Sequence, residues 1–200
     1  MAIVGKTGYT KATLSSVHFN AGTIHKNLEY ETNGTILTAV TNATASIVGA
    51  TQGGCTLSIT PEFTPIAVDG VKVAIRGSKV KTGEVATLKA KFIELTKDIL
   101  ISATNGQEGT SADTNFIKIE SKADIEEGDY WDNIAVVGET AEGNYAIAVL
   151  KNALCISGLE LGKEDKSASV PEIEFECHAD KDSNGDTLPW EIYIAKPATN

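Results

Sequence analysis

The chain has 200 residues and a mass of 21.1 kDa, enough for one domain with a substantial core. Its composition, 42% hydrophobic and 22% charged, is that of a globular protein and excludes a largely disordered or collagen-like chain. The net charge of −10 and a single arginine, Arg76, argue against sequence-specific nucleic-acid binding, because base edges and phosphates are read mainly by arginine and attracted by positive charge.

Alternating apolar residues predict the first strands. Residues 1–45 have weak periodicity, and we expect them to form an arm with irregular strands used in assembly. From Gly53 onward, three segments alternate apolar and polar residues, which is typical of half-buried antiparallel strands: Gly53–Pro61, Gly70–Gly77 and Glu84–Phe92.

The period then changes to that of a helix. Leu95, Ile99 and Ala103 lie four residues apart, Thr96 is a suitable N-cap, and Asn105 with the following glycine is a typical helix end. We therefore predict one α-helix at about residues 96–104.

Strand patterns return after the helix. The segments are 115–120, 134–138, 145–155, 173–177 and 190–194. Segment 145–155 is apolar on both faces, which predicts a strand that is packed on both sides. Many strands, glycine-rich turns and one flanking helix predict a mainly β fold, an antiparallel β-sandwich or partial barrel, in a single domain covering residues 1–200.

Several functional classes lack a sequence signal. The N-terminus has no basic segment followed by an apolar run, and no window approaches 18 consecutive apolar residues, so we expect neither a secretory signal nor a membrane-spanning helix. The three cysteines are far apart and form no metal-binding or disulfide pattern. The three histidines lie in no catalytic motif, and we find no nucleophile elbow or phosphate-binding loop. The sequence therefore predicts a protein without enzymatic activity.

One motif matches a calcium-binding loop. Residues 180–191 follow the pattern D-x-[DN]-x-[DN]-G-x5-E, which would place oxygen ligands around a tight turn. The flanking segments read as strands instead of the helices of an EF-hand, so an acidic hairpin loop explains the same residues. The candidate ligands are Asp180, Asp182, Asn184, Asp186 and Glu191.

The charges are unevenly distributed along the chain. The first hundred residues have a net charge of +3 and the second hundred a net charge of −13. Two clusters of opposite sign would help to align neighbouring copies across a head-to-tail interface, although two solvated surface patches are the simpler interpretation. The basic patch comprises Lys72, Arg76, Lys79 and Lys81, and the acidic loop comprises Asp124, Glu126, Glu127 and Asp129.

Several short segments between residues 47 and 195 together resemble those of a known protein family. The resemblance depends on how many segments there are, on their order and on their spacing. The segments are Ile47–Gly54, Pro61–Glu62, Val68–Gly70, Arg76–Lys79, Ala86–Leu100, Lys151–Leu154, Gly158–Leu161, Phe175–His178 and Pro189–Ile192. In this arrangement the chain resembles the major tail tube protein of long-tailed, non-contractile bacteriophages.

The resemblance implies a β-sandwich flanked by a helix, assembled into homohexameric rings that stack into a hollow tube. Its expected partners are further copies of itself, tail tip and tail completion proteins, and a tape measure protein inside the tube. DNA would pass through without specific binding, and an acidic lumen would repel its phosphates. The protein would be located in the virion tail after synthesis in the bacterial cytoplasm, with no membrane contact and no cofactor.

A second interpretation is a calcium-stabilised β-sandwich for adhesion or carbohydrate recognition. Its aromatic candidates are Tyr130, Trp131 and Trp190. A third interpretation, a hydrolase on a β scaffold, has no supporting group of residues.

Overall fold

The computed structural model describes residues 17–31 and 46–196, together with the single positions Thr13 and Ile36. This part of the chain forms nine β-strands and the helix α1, with a short 3-10 turn at Glu127–Asp129. The elements are β1 (His18–Lys26), β2 (Thr51–Pro65), β3 (Lys79–Phe92), α1 (Lys97–Thr104), β4 (Gly106–Gly109), β5 (Lys118–Ser121), β6 (Trp131–Thr140), β7 (Tyr145–Cys155), β8 (Glu172–Cys177) and β9 (Trp190–Ile194).

Seven of these strands form one antiparallel sheet in the order β1-β6-β7-β8-β3-β2, with β9 also paired to β7. Strands β4 and β5 form a separate hairpin. Val48 N donates to Ile24 O at 3.0 Å just before β2, but β1 and β2 are the two ends of the strand order. The sheet is therefore open, and the predicted mainly β, antiparallel architecture is confirmed without closure into a barrel.

The core lies on both faces of β6 and β7. One cluster contains Leu150 of β7, Phe175 of β8 and Phe92 of β3. A second cluster, on the other face, contains Ile147 and Val149 of β7. This confirms the prediction that the segment 145–155 is packed on both sides.

Helix α1 closes one side of the larger cluster with Ile99 and Ala103, which are almost fully buried. The Thr96 hydroxyl accepts from Ile99 N at 3.4 Å, and Asn105 adopts the left-handed conformation at φ 47° that ends many helices. The predicted helix and both of its caps are confirmed. No helix in the described residues is long and apolar enough to span a membrane.

Strands β8 and β9 both pair with β7, at successive positions along it. Ala153 pairs with Cys177 of β8, and Leu150 pairs with Trp190 of β9, so both strands run antiparallel to β7. Residues 178–189, the strand-break loop, leave the sheet between them. The loop therefore connects two strands that pair with β7 and not with each other, so it is not the hairpin loop that the sequence suggested.

The predicted strand Gly70–Gly77 is wrong. This segment forms turns, and Val71, Val73 and Ile75, the face expected to be buried, are 42%, 76% and 56% exposed. These three side chains are apolar, as the alternation indicates, but no other element of the described chain covers them. The predicted strand 115–120 is shifted in a similar way, since β5 begins only at Lys118.

The expected arm and irregular strands at residues 1–45 include one strand that the structure describes, β1, whose register against β6 shifts between Phe19 and Thr23. Strand β1 is an integral edge strand that pairs with β6, and Ile24, His25 and Leu28 are buried. The rest of that segment, apart from residues 13, 17, 27–31 and 36, lies outside the described residues.

Candidate assembly interface

The β2–β3 hairpin extends well past the sheet. Strand β3 pairs with β8 only over Thr87–Lys91, whereas the β2–β3 register continues to Pro65 opposite Lys79. Residues 61–82 therefore have strand partners only within the hairpin itself, and all of them are exposed except the half-exposed Ser78. We refer to residues 61–82 as the projecting hairpin.

Two glycines shape its turns. Gly70 follows Asp69 with φ 83°, and Gly77 follows Arg76 with φ 88°. These left-handed conformations favour glycine because a Cβ would strain the backbone there. Ile66 N donates to Ser78 O at 2.6 Å, which joins the two sides of the hairpin where the turns begin.

The projecting hairpin concentrates large apolar side chains in contact with solvent. Their exposed fractions range from 42% to 76%, although burying one such side chain gains about 1.5–3 kcal/mol. Where exposed apolar side chains form a large patch, the patch is often an interaction site. The residues are Phe63, Ile66, Val68, Val71, Val73, Ile75 and Val80.

The predicted basic patch lies on the same hairpin. Lys72, Arg76 and Lys79 form no ion pair with any described residue, so their charges are available to a partner. Lys81 is different, because its ammonium lies 2.8 Å from Glu84 in the same strand. The patch therefore presents three free cations instead of four.

The predicted acidic loop is largely neutralised within the chain. Lys122 forms a tight ion pair with Asp129, each side chain being only 11% exposed, and lies 3.6 Å from Glu126. The hydrogen bond to Asp129 raises the pKa of Lys122. Glu127 pairs with Lys181 at 2.8 Å, which leaves Asp124 as the member without an ion pair among the described residues. This loop offers less negative charge to a partner than its sequence suggests.

Glu84 anchors the root of the projecting hairpin. Its carboxylate accepts from Lys81 and, at 3.1 Å, from the indole Nε1 of Trp190 at the start of β9. The hydrogen bond from Lys81, followed by that from Trp190, lowers the pKa of Glu84. This contact joins the base of the hairpin to the start of β9.

The candidate calcium ligands are not brought together. Asp180, Asp182, Asn184 and Asp186 lie in the exposed strand-break loop, where Asp180 Oδ1 accepts from the backbone of Asp182 at 2.9 Å. Glu191 lies in β9, and both of its oxygens are engaged by other residues. A search of the described residues finds no group of three or more His, Cys, Asp or Glu side chains placed to hold a metal ion.

Glu191 instead organises a polar cluster that the sequence did not reveal. Lys151 donates to Oε1, and the hydroxyls of Tyr30 and Tyr193 donate to Oε2 at 2.8 and 2.7 Å. The hydrogen bond from Lys151, then that from Tyr193, lowers the pKa of Glu191 to about 2, and its carboxylate raises the pKa of Tyr193 to about 12. The cluster joins the segment after β1 to β7 and β9, which are far apart in sequence.

This cluster predicts an acid-sensitive contribution to stability. The pKa of Glu191 is lower in the folded chain than its ordinary value of 4.5, so its contribution is present above about pH 4.5 and is lost as the pH falls towards 2. We expect Glu191→Gln to lower the free energy of unfolding at pH 7 by about 1 kcal/mol, since solvent screens a side chain that is one-third exposed.

Urea unfolding from pH 7 to pH 2 measures this contribution. The difference between the wild type and Glu191→Gln should shrink as the pH approaches 2. Glu164→Gln, at a carboxylate without an ion pair among the described residues, is the matched control and should leave stability unchanged at every pH. A constant difference between wild type and Glu191→Gln over this range would contradict the assignment.

The sequence was compared with models of known protein families and with curated proteins, and neither comparison finds a match.

Proposed function

We propose that the chain is the subunit of a bacteriophage tail tube, which forms hexameric rings that stack into a hollow conduit for DNA. In this role it binds copies of itself, meets tail tip and tail completion proteins at the tube ends, and surrounds a tape measure protein. The proposal places the protein in the virion tail and assigns it a structural and not an enzymatic role. It combines the sequence resemblance with the surface of the projecting hairpin.

The projecting hairpin carries the proposal. It exposes Phe63, Val73, Ile75 and other large apolar side chains on the same hairpin as three cations that have no ion-pair partner among the described residues. A surface with apolar and charged groups suits a repeated contact, because burial of the apolar groups supplies affinity and the charges set the register. A hairpin that extends past its own sheet can reach a neighbouring copy in the same ring or in the next one.

The edge of the sheet offers a second contact surface. Strand β2 is 15 residues long and pairs only with β3, so its outer backbone edge is open in the described structure. A long open edge is a template for pairing with another chain, and closure into a larger ring removes it. Repetition of the subunit around a ring would satisfy these backbone groups.

The charges of the β3–β8 surface suit a conduit that does not retain DNA. Lys89 and Lys91 of β3 lie opposite Glu174 and Glu172 of β8, at 3.1 and 3.8 Å. The lysines are thus partly neutralised, and the net charge of −10 per subunit adds a general repulsion of phosphates. If this face lines the lumen, the lysines that DNA passes are already paired with glutamates.

Hydrogen exchange tests whether the projecting hairpin is an assembly contact. We expect amides of residues 66–78 to exchange quickly in dilute protein and to become protected at concentrations where particles sediment. The β4–β5 hairpin, residues 106–121, is the internal control and should change less. Equal exchange of residues 66–78 in sedimenting and non-sedimenting protein would overturn the proposed contact.

A further inference from the structure

A cleft opens at the strand-break loop, between the residues of β7 that pair with β8 and those that pair with β9. It has a volume of about 330 Å³, at the lower end of the range of about 300–1,000 Å³ for small-molecule sites. Its walls are formed by Tyr130, Asn152, His178 and Asp180, and its rim includes the Glu127–Lys181 ion pair. The cleft is separate from the projecting hairpin in sequence and in its lining.

The backbone around the cleft departs from regular strand geometry. Asn152 lies inside β7 but has φ 49°, a left-handed conformation that asparagine adopts more readily than most other non-glycine residues. Its Nδ2 donates to His178 O at 3.2 Å, and His178 N donates back to Asn152 O at 3.2 Å. The two residues hold each other at the point where β8 ends and the strand-break loop begins, which keeps the cleft open.

The ring of His178 presents a hydrogen-bond acceptor. Its Nδ1 lies 3.0 Å from Glu176 O, and because a carbonyl can only accept, Nδ1 carries the hydrogen. In the neutral ring Nε2 then has a lone pair, and this nitrogen lies 3.9 Å from the carboxylate of Glu176. The edge-to-face contact with Tyr130, at 5.4 Å between ring centroids, fixes the orientation of both rings.

The other free groups are also mainly acceptors. One carboxylate oxygen of Asp180 and the side-chain oxygen of Asn152 have no hydrogen-bond partner in the described part of the chain. The Tyr130 hydroxyl likewise has none there, and it can donate or accept. These groups favour a ligand that supplies several O–H or N–H donors, since the ammonium of Lys181 in the lining is already paired with Glu127.

From these groups we propose that the cleft binds a sugar ring. Its hydroxyls would donate to His178, Asp180 and Asn152, and one would pair with the hydroxyl of Tyr130. The C–H face of a sugar suits the aromatic wall of Tyr130, whereas a compact ammonium ion would use the acceptors but leave much of the 330 Å³ unfilled. This binding does not depend on assembly into rings.

Amide chemical-shift mapping with simple ligands tests the site. The probes are methyl glycosides of glucose, galactose, N-acetylglucosamine and rhamnose, with ammonium chloride as the cation arm. We expect at least one glycoside to shift the amides of Asn152, His178 and Lys181 in a saturable way. Tyr130→Phe, which removes only one hydroxyl, should weaken that binding about two- to tenfold.

The control is Tyr145→Phe, at a half-buried tyrosine outside the cleft, which should leave the affinity unchanged. Three results would overturn the proposal: no saturable shift with any glycoside, shifts with ammonium chloride alone, or equal glycoside affinity in Tyr130→Phe and wild type. Because dilute protein is used, failure here leaves the tube proposal intact.

Discussion

Replacing Val73 and Ile75 by aspartate is expected to abolish self-assembly while the subunit remains folded. Both side chains lie on the projecting hairpin and are 76% and 56% exposed, so the isolated subunit loses almost no packing. In an interface, each buried side chain would contribute about 1.5–3 kcal/mol. Loss of both therefore predicts a rise of about two to four orders of magnitude in the concentration needed for assembly.

The amount of protein that sediments as particles, measured over a concentration series, checks this prediction, and circular dichroism confirms the fold. The matched control is Phe116→Asp with Ile117→Asp, because these residues are also apolar and are 69% and 61% exposed, but lie on the β4–β5 hairpin. The account requires the control to assemble. Normal assembly of the Val73 and Ile75 variant would show that the projecting hairpin is not an interface.

The largest loss of folding stability is expected for Phe175→Ala. Phe175 in β8 is 1% exposed and packs against Trp131, with 4.5 Å between ring centroids. Removal of a buried phenylalanine leaves a cavity in a core that cannot fully collapse, which costs about 3–5 kcal/mol. Since Phe175 also pairs with Leu88 and Cys155, the junction of β3, β7 and β8 depends on it.

Urea unfolding followed by tryptophan fluorescence, from Trp131 and Trp190, measures this loss. Ile194→Ala in β9, at a side chain that is 69% exposed, is the control and should change stability by less than about 0.5 kcal/mol. A loss below about 1 kcal/mol for Phe175→Ala would mean that the core can repack around the vacancy. Phe175→Ala is thus expected to lower folding stability, whereas the variant with aspartate at positions 73 and 75 is expected to lose assembly and remain folded.

The local sequence pattern was sufficient to predict most elements of the fold. The alternation in Glu84–Phe92 marked the buried face of β3 correctly, and the four-residue spacing through Ile99, with Thr96 and Asn105 as caps, located α1. These features depend on side chains that face the chain's own core or on local hydrogen bonds. Strand β1 was not resolved as a strand by the same reasoning, because its residues His18–Lys26 contain few alternating apolar side chains and owe their conformation to pairing with β6.

The candidate sites were harder to predict because they depend on contacts between distant segments. The alternation of Val71, Val73 and Ile75 looks the same whether the apolar face meets the chain's own core or another molecule, and only the structure shows it uncovered. Likewise, the carboxylate of Glu191 matched the last ligand of a calcium loop, but its pairing with Lys151 depends on the register of β9 against β7.

Negative-stain electron microscopy of the purified protein at high concentration tests the central claim most directly. The account predicts rings with sixfold symmetry and a central channel, or tubes built from such rings, and their absence in the variant with aspartate at positions 73 and 75. Single subunits alone, at every concentration up to the solubility limit, would contradict it.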